Sequence, residues 1–136
     1  MYETFDHTAD VGIRVRAPDL QTVLVDAARG LFSLIVSNLD AVRPVRSVRI
    51  SIAAEDADWL LFDWLAELLV RFDAEQLVLC EFDVALVDDG LTATVRGEQV
   101  DFDRHHLEHE VKAITCHGLK VEQTDTGWLA EVIVDI

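Results

Sequence analysis

The hydrophobic period of this chain passes from strand to helix twice in its first half and then stays with the strand, and that order limits the folds open to it. Residues Val11 to Ala17 alternate, with Val11, Ile13 and Val15 on one face and Arg14 and Arg16 on the other, as in a half-buried strand. Pro18 stops the run. Asp19 is placed to cap a helix carrying Leu20, Val23, Leu24, Ala27, Leu31 and Ile35 at helical spacing and ending near Asn38. Val45 to Ala53 alternate again through Val48, Ile50 and Ile52. Asp56 can cap a second helix, whose Leu60, Leu61, Trp64, Leu65, Leu68, Leu69 and Phe72 form a broad apolar face. Beyond it come strand patterns at Leu77 to Val87, Leu91 to Val95, Val111 to His117, Leu119 to Gln123 and Trp128 to Val134, with tight turns at Asp88-Asp89-Gly90 and Asp125-Thr126-Gly127. Helices that do not alternate regularly with strands predict an α+β fold, two helices covering one face of a largely antiparallel sheet.

Nothing cuts the 136 residues into parts: there is no repeat, low-complexity tract or Gly/Pro/Ser-rich linker, so residues 1–136 read as one domain. With 51% hydrophobic residues the chain can build a core, yet no apolar run reaches the roughly 20 residues that span a bilayer. The start M-Y-E-T-F-D-H-T-A-D lacks the basic and apolar regions of a signal peptide. A cytoplasmic protein with no membrane association is expected. Cys80 and Cys116 belong to no C-x-x-C pair and read as core packing. Charge separates function classes more sharply. A net charge of −15 repels phosphate and leaves few cations for the contacts that hold nucleic acid, so direct RNA or DNA binding is not expected. Such a surface suits cation capture, docking on a basic partner protein, or plain solubility.

Glycine-rich phosphate loops and nucleophile elbows are absent from the sequence. His105 to His109 satisfy H-x-x-E-H, a zinc-hydrolase pattern, but it needs a helix, and only about one turn is plausible before strand patterns resume. A solvated polar connection fits His105, His106 and His109 better. Polar residues where core is expected are more informative. Asp10 directly precedes the first strand, as a turn residue or a ligand, and His7 lies three residues earlier. Asp135 closes the apolar run V-I-V-D-I beside Ile136, whose terminal carboxylate is its close neighbour. Like charges held together need solvent or a bridging cation, and oxygen donors favour calcium, magnesium or manganese over zinc. Lys112 falls on the strand face of Ile114 and Cys116, opposite Thr115 and His117; it either snorkels to the rim or, if partly buried, pairs with Asp10 or Asp135.

These positions coincide with four segments through which the chain resembles the archease family: H-T-A-D-V-G at His7 to Gly12, W-L-A-E-L-L at Trp64 to Leu69, V-K-A-I-T-C-H at Val111 to His117, and W-L-A-E-V-I-V-D-I at Trp128 to Ile136. Ala66 stands where a small polar residue is usual, and Cys116 where an aromatic is usual. The resemblance implies the archease fold and a protein that is not itself an enzyme. It implies an activator of the RNA-splicing ligase, which joins 3′-phosphate or 2′,3′-cyclic-phosphate ends to 5′-hydroxyl ends in tRNA splicing and RNA repair. The activator promotes guanylylation of the ligase and so its multiple turnover. It further implies a divalent metal on Asp10, Asp135 and the carboxylate of Ile136, with Lys112 and His7 as activating neighbours. A general chaperone and, less favoured, a small metal-dependent hydrolase are the alternatives.

Overall fold

The computed structural model describes residues 1–7 and 10–136; of His7 the main chain alone is described. Among the described residues seven strands and two α-helices follow in the order β1 (Tyr2–His7), β2 (Asp10–Ala17), α1 (Leu20–Ile35), β3 (Arg46–Ala53), α2 (Ala57–Glu75), β4 (Leu77–Val87), β5 (Gly90–Gln99), β6 (Ala113–Thr124) and β7 (Gly127–Asp135). A 3-10 turn, Leu39–Ala41, lies after α1. Both helices start where the caps predict: the Asp19 carboxylate accepts from the Thr22 N–H at 2.7 Å and the Asp56 carboxylate from the Trp59 N–H at 2.9 Å. The Thr22 side chain and, after it, the Thr22 N–H hold the exposed Asp19 carboxyl below its ordinary range. Helix α1 ends at Ile35, earlier than the expected Asn38, because Val36 turns extended and forms an isolated bridge with Leu107.

The α+β class holds, but the strands divide into two antiparallel sheets where a single one was expected. One has the order β1-β2-β7-β6 and the other β3-β5-β4. Alternation along a strand fixes which face is apolar; it carries no information about which strand lies beside it. In the four-stranded sheet Ile13, Val15, Val132 and Val134 are buried against the helices, and in the three-stranded sheet Ile50, Ala93, Val95 and Phe82 do the same. Each helix packs on both sheets: α1 touches β1, β2 and β7 on one side and β4 on the other, while α2 lies on β6 and on β3, β4 and β5. One continuous core results, running from Val11 through both helices to Leu91.

Two further departures are local. The patterns at Val111–His117 and Leu119–Gln123 belong to one strand, β6, whose pairing with β7 slips between Thr115 and Lys120 and whose Gly118 takes φ +64°. Four residues bulge there against one, so the sequence looks interrupted while the strand continues. The bulge exposes Cys116, which is therefore not core packing, and Cys80 at the β4 irregularity is only half-buried. Lys112 precedes β6 and is exposed, as a lysine that snorkels to the rim is, while Ile114 is buried. None of the helices among the described residues is long and apolar enough to cross a membrane.

Candidate functional site

Strands β2 and β7 are the inner pair of the four-stranded sheet, and their register runs from Ala17↔Trp128 to Asp10↔Asp135. Directly opposed residues in an antiparallel pair point to the same face, their Cβ atoms about 4.5–5.5 Å apart. Val11 and Val134 next to them face the core, so Asp10 and Asp135 share the outer face at the sheet's end. Both are half-buried, and Asp10 is not without a partner. Strand β1 brings the His7 main chain opposite Asp10, and β6 brings Ala113 opposite Asp135. Lys112 is tied to the same corner by its N–H, which donates to the Asp135 carbonyl at 2.8 Å. Its exposure means that it does not need the carboxylate partner that burial would demand. Ile136 is half-buried and packs on the core. Main chain and register thus gather Asp10, Asp135, Lys112 and Ile136 at one end of the sheet; the His7 side chain lies outside the described residues.

The outer face next to this corner is itself packed. Gly12 follows Asp10 in the row and lies opposite both Phe5 and Ile133. The Phe5 ring occupies the space of a missing side chain: a Cβ on Gly12 would sit 2.0 Å from Phe5 Cζ. Ile133 beneath is buried although it belongs to no part of the main core. Arg14 lies over the Phe5 ring at 4.6 Å, donates from Nε to Glu131 at 2.6 Å and from Nη1 to Glu3 at 3.3 Å. The Glu131 bond pushes the Arg14 guanidinium further up from its ordinary value. This aromatic–arginine stack stiffens the two strands that carry the paired aspartates. Gly12→Ala is expected to lever Phe5 off the sheet and cost about 1–2 kcal/mol, measurable as a lowered urea midpoint at unchanged slope.

His105 to His109 form no helix, and the five residues do not act together. His106 is exposed, whereas His105 is buried, contrary to the solvated connection expected. Its Nδ1 accepts from the Asp101 N–H at 2.9 Å, so the ring proton is on Nε2, which reaches Glu98 Oε2 at 3.0 Å. With both ring nitrogens engaged, His105 has no lone pair to offer a metal. Glu98 also accepts from the Arg43 N–H at 2.7 Å and pairs with Arg104. This buried network is invisible to a motif search, because Glu98 lies beyond the Leu91 to Val95 pattern that marks its strand in the sequence. Among the described residues no three His, Cys, Asp or Glu side chains cluster as a ready metal site.

A two-sheet α+β domain with an acidic corner on its inner strands is the class of protein that fold and site define. A profile of the archease protein family (MTH1598/TM1083) matches residues 2–136, and the chain belongs to that family. It is 40% identical over 139 residues to protein archease of Methanopyrus kandleri, covering 99% of both chains, and 37% identical over 140 residues to that of Pyrococcus abyssi, covering 99% and 98%. The solution structure of Methanobacterium thermoautotrophicum protein 1598 superposes with a TM-score of 0.83 at 34% identity, covering 99% of this chain and 98% of that one. A Thermotoga maritima archease, described as a possible chaperone, superposes at 0.70 with 18% identity, covering 100% and 98%, which supports the shared fold.

Proposed function

We propose that this chain is a non-enzymatic activator of an RNA-splicing ligase and that its working surface is the acidic corner. The observation that carries the reading is the Asp10↔Asp135 register. Like charges directly opposite each other on one sheet face are destabilising, and a hard divalent cation reverses the sign of that interaction. The donor set suits calcium, magnesium or manganese: the two carboxylates, with the carboxylate of Ile136 as a third oxygen donor. Such an ion supplies positive charge for phosphate oxygens. Lys112, anchored to Asp135 through its main chain and exposed, is then available to a nucleotide phosphate or a carboxylate of the partner. The net charge of −15 argues that RNA is reached through a basic protein partner rather than gripped directly.

The test has two arms. In RNA joining by the ligase of the same source, with substrate in large excess, the wild-type chain should convert single turnover into many rounds, and Asp135→Asn should lose at least tenfold of that stimulation. Separately, millimolar calcium should raise the melting temperature of the wild-type chain and leave that of Asp135→Asn unmoved, since a ligand stabilises only the state that binds it. Stimulation that survives in Asp135→Asn and Asp10→Ala overturns the metal corner. The competing reading, a chaperone for many clients, follows the description of the Thermotoga maritima relative. It predicts suppression of aggregation by wild type and Asp135→Asn alike, with no effect on the ligase.

A further inference from the structure

The three-stranded sheet has a free edge beside a groove. Strand β3 pairs with β5 alone, and its other side carries no strand among the described residues. The hydrogen-bond parity can be read from the end of the ladder: the Ala54 N–H donates to the Asp89 carbonyl at 2.9 Å, continuing the register Ala53↔Gly90. Bonding alternates along an antiparallel strand, so Val48, Ile50 and Ile52 bond inward to β5. The N–H and C=O groups of Ser47, Arg49, Ser51 and Ala53 point away from the sheet. The β6 edge differs, because there the Asp58 carboxylate of α2 takes the Val121 N–H at 2.6 Å.

Alongside the β3 edge runs a groove of about 350 Å³ between Ser51 and Ile52 of the strand and Asp63, Ala66, Glu67 and Val70 of α2. Its floor is unfinished core. Val48 and Ile52 share the core-facing side with their fully buried ladder partners Val95 and Leu91, yet are only half-covered, and Val70 is 57% exposed. Its helical wall is acidic: Asp63 makes no ion pair among the described residues, and Glu67 shares Arg71 with Glu75.

We propose that this groove is a docking site for an extended, lysine- or arginine-bearing segment of a partner protein, which adds to β3 as a further strand. Main-chain bonds to Arg49, Ser51 and Ala53 supply affinity, alternate apolar side chains complete the floor over Ile52, Ala66 and Val70, and a cation meets Asp63. Charge selects this occupant over a second copy of the chain, because two copies would bring the same carboxylates, on chains of net charge −15, against each other. The site lies on the other sheet from the acidic corner and does not depend on the function assigned to that corner.

The probe is an acetylated, amidated octapeptide, Thr-Val-Thr-Val-Thr-Lys-Thr-Val, whose valines and lysine share one strand face, titrated into the full 15N-labelled chain. Saturable binding with a Kd below about 1 mM is expected, slowing amide exchange at Arg49, Ser51 and Ala53 while leaving the amides of Ile50 and Ile52, already bonded to β5, unchanged. Proline is tolerated where an edge N–H faces outward, so Ser51→Pro should fold and weaken binding at least tenfold. Asp63→Lys should weaken it about three- to tenfold. A peptide with alternate N-methyl amides gives the same test on the unaltered protein, and should not bind. Equal binding by wild type and Asp63→Lys, or by the methylated peptide, overturns the proposal in favour of diffuse charge attraction. Absence of saturation into the millimolar range overturns it outright, and a dimer in sedimentation that Asp63→Lys strengthens assigns the edge to self-association instead.

Discussion

Trp64→Ala is expected to cost about 3–5 kcal/mol and to lower the melting temperature by on the order of 10–20 °C. The Trp64 side chain is fully buried on α2, meets Phe82 of β4 edge to face with centroids 6.4 Å apart, and donates from Nε1 to the Leu24 carbonyl of α1 at 2.9 Å. It therefore joins both helices and one sheet through a single side chain. Truncation removes the ring's transfer energy and leaves a cavity that three differently oriented elements cannot close together. Trp64→Phe separates the terms. A phenyl ring keeps most of the packing and drops the N–H, while Leu24 sits inside a helix whose own ladder serves its carbonyl, so about 1–2 kcal/mol should be lost. Urea unfolding of the two variants checks the ratio. Similar losses in both would mean that the hydrogen bond outweighs packing here. With total stabilities usually about 5–15 kcal/mol, Trp64→Ala should leave a chain that still folds at 20 °C with little margin.

Local patterns proved legible wherever one face of an element is apolar and one is wet. Strand β2 shows this most plainly, since its valines and isoleucine are buried and its arginines are not. Strand β1 was missed for a physical reason. Its aromatic residues lie on opposite faces, with Tyr2 against the core and Phe5 over Gly12 on the outside, so no alternation survives in the sequence. The division into two sheets and the bulge in β6 escaped as well, because pairing is a property of two distant segments and alternation of only one.

The acidic corner was partly legible. Asp10 and Asp135 stood out as carboxylates abutting apolar strands, and the resemblance joined them, but only the antiparallel register explains why residues at opposite ends of the chain meet. Lys112, read by alternation as either snorkelling to the rim or paired if buried, is exposed, and its main chain is bonded to Asp135. The histidines at 105, 106 and 109 misled in a different way. A motif counts residue types at fixed spacing, whereas the role of His105 is set by Glu98, which lies outside the motif on β5.

Glu98→Ala is expected to cost about 3 kcal/mol at neutral pH and to remove much of the chain's acid sensitivity. Burial alone would raise the Glu98 carboxyl, but the Arg43 N–H, Arg104 and His105 outweigh it and hold the group at about 2 instead of its ordinary 4.5. A carboxyl depressed in the folded state binds its proton more readily when unfolded. Its stabilisation is therefore complete above about pH 4.5 and is lost as the pH falls through about 2, a difference of about 2–3 kcal/mol. The same carboxylate pushes the Arg104 guanidinium up, and Arg104 also donates to Asp101 and to the Ala41 carbonyl. One anion thus fastens the end of β5 to the segment leading to Lys112, which Asn38 secures further along through the Arg104 carbonyl and the His106 N–H. Unfolding free energies measured from pH 7 to pH 2 should fall for the wild-type chain across that window, and the curve of Glu98→Ala should start lower and run flatter. Parallel curves would place the acid-sensitive group elsewhere. Because the lost anchor precedes Lys112 and spares Asp10 and Asp135, amide exchange in Glu98→Ala should quicken between residues 100 and 112 and stay unchanged in β2 and β7.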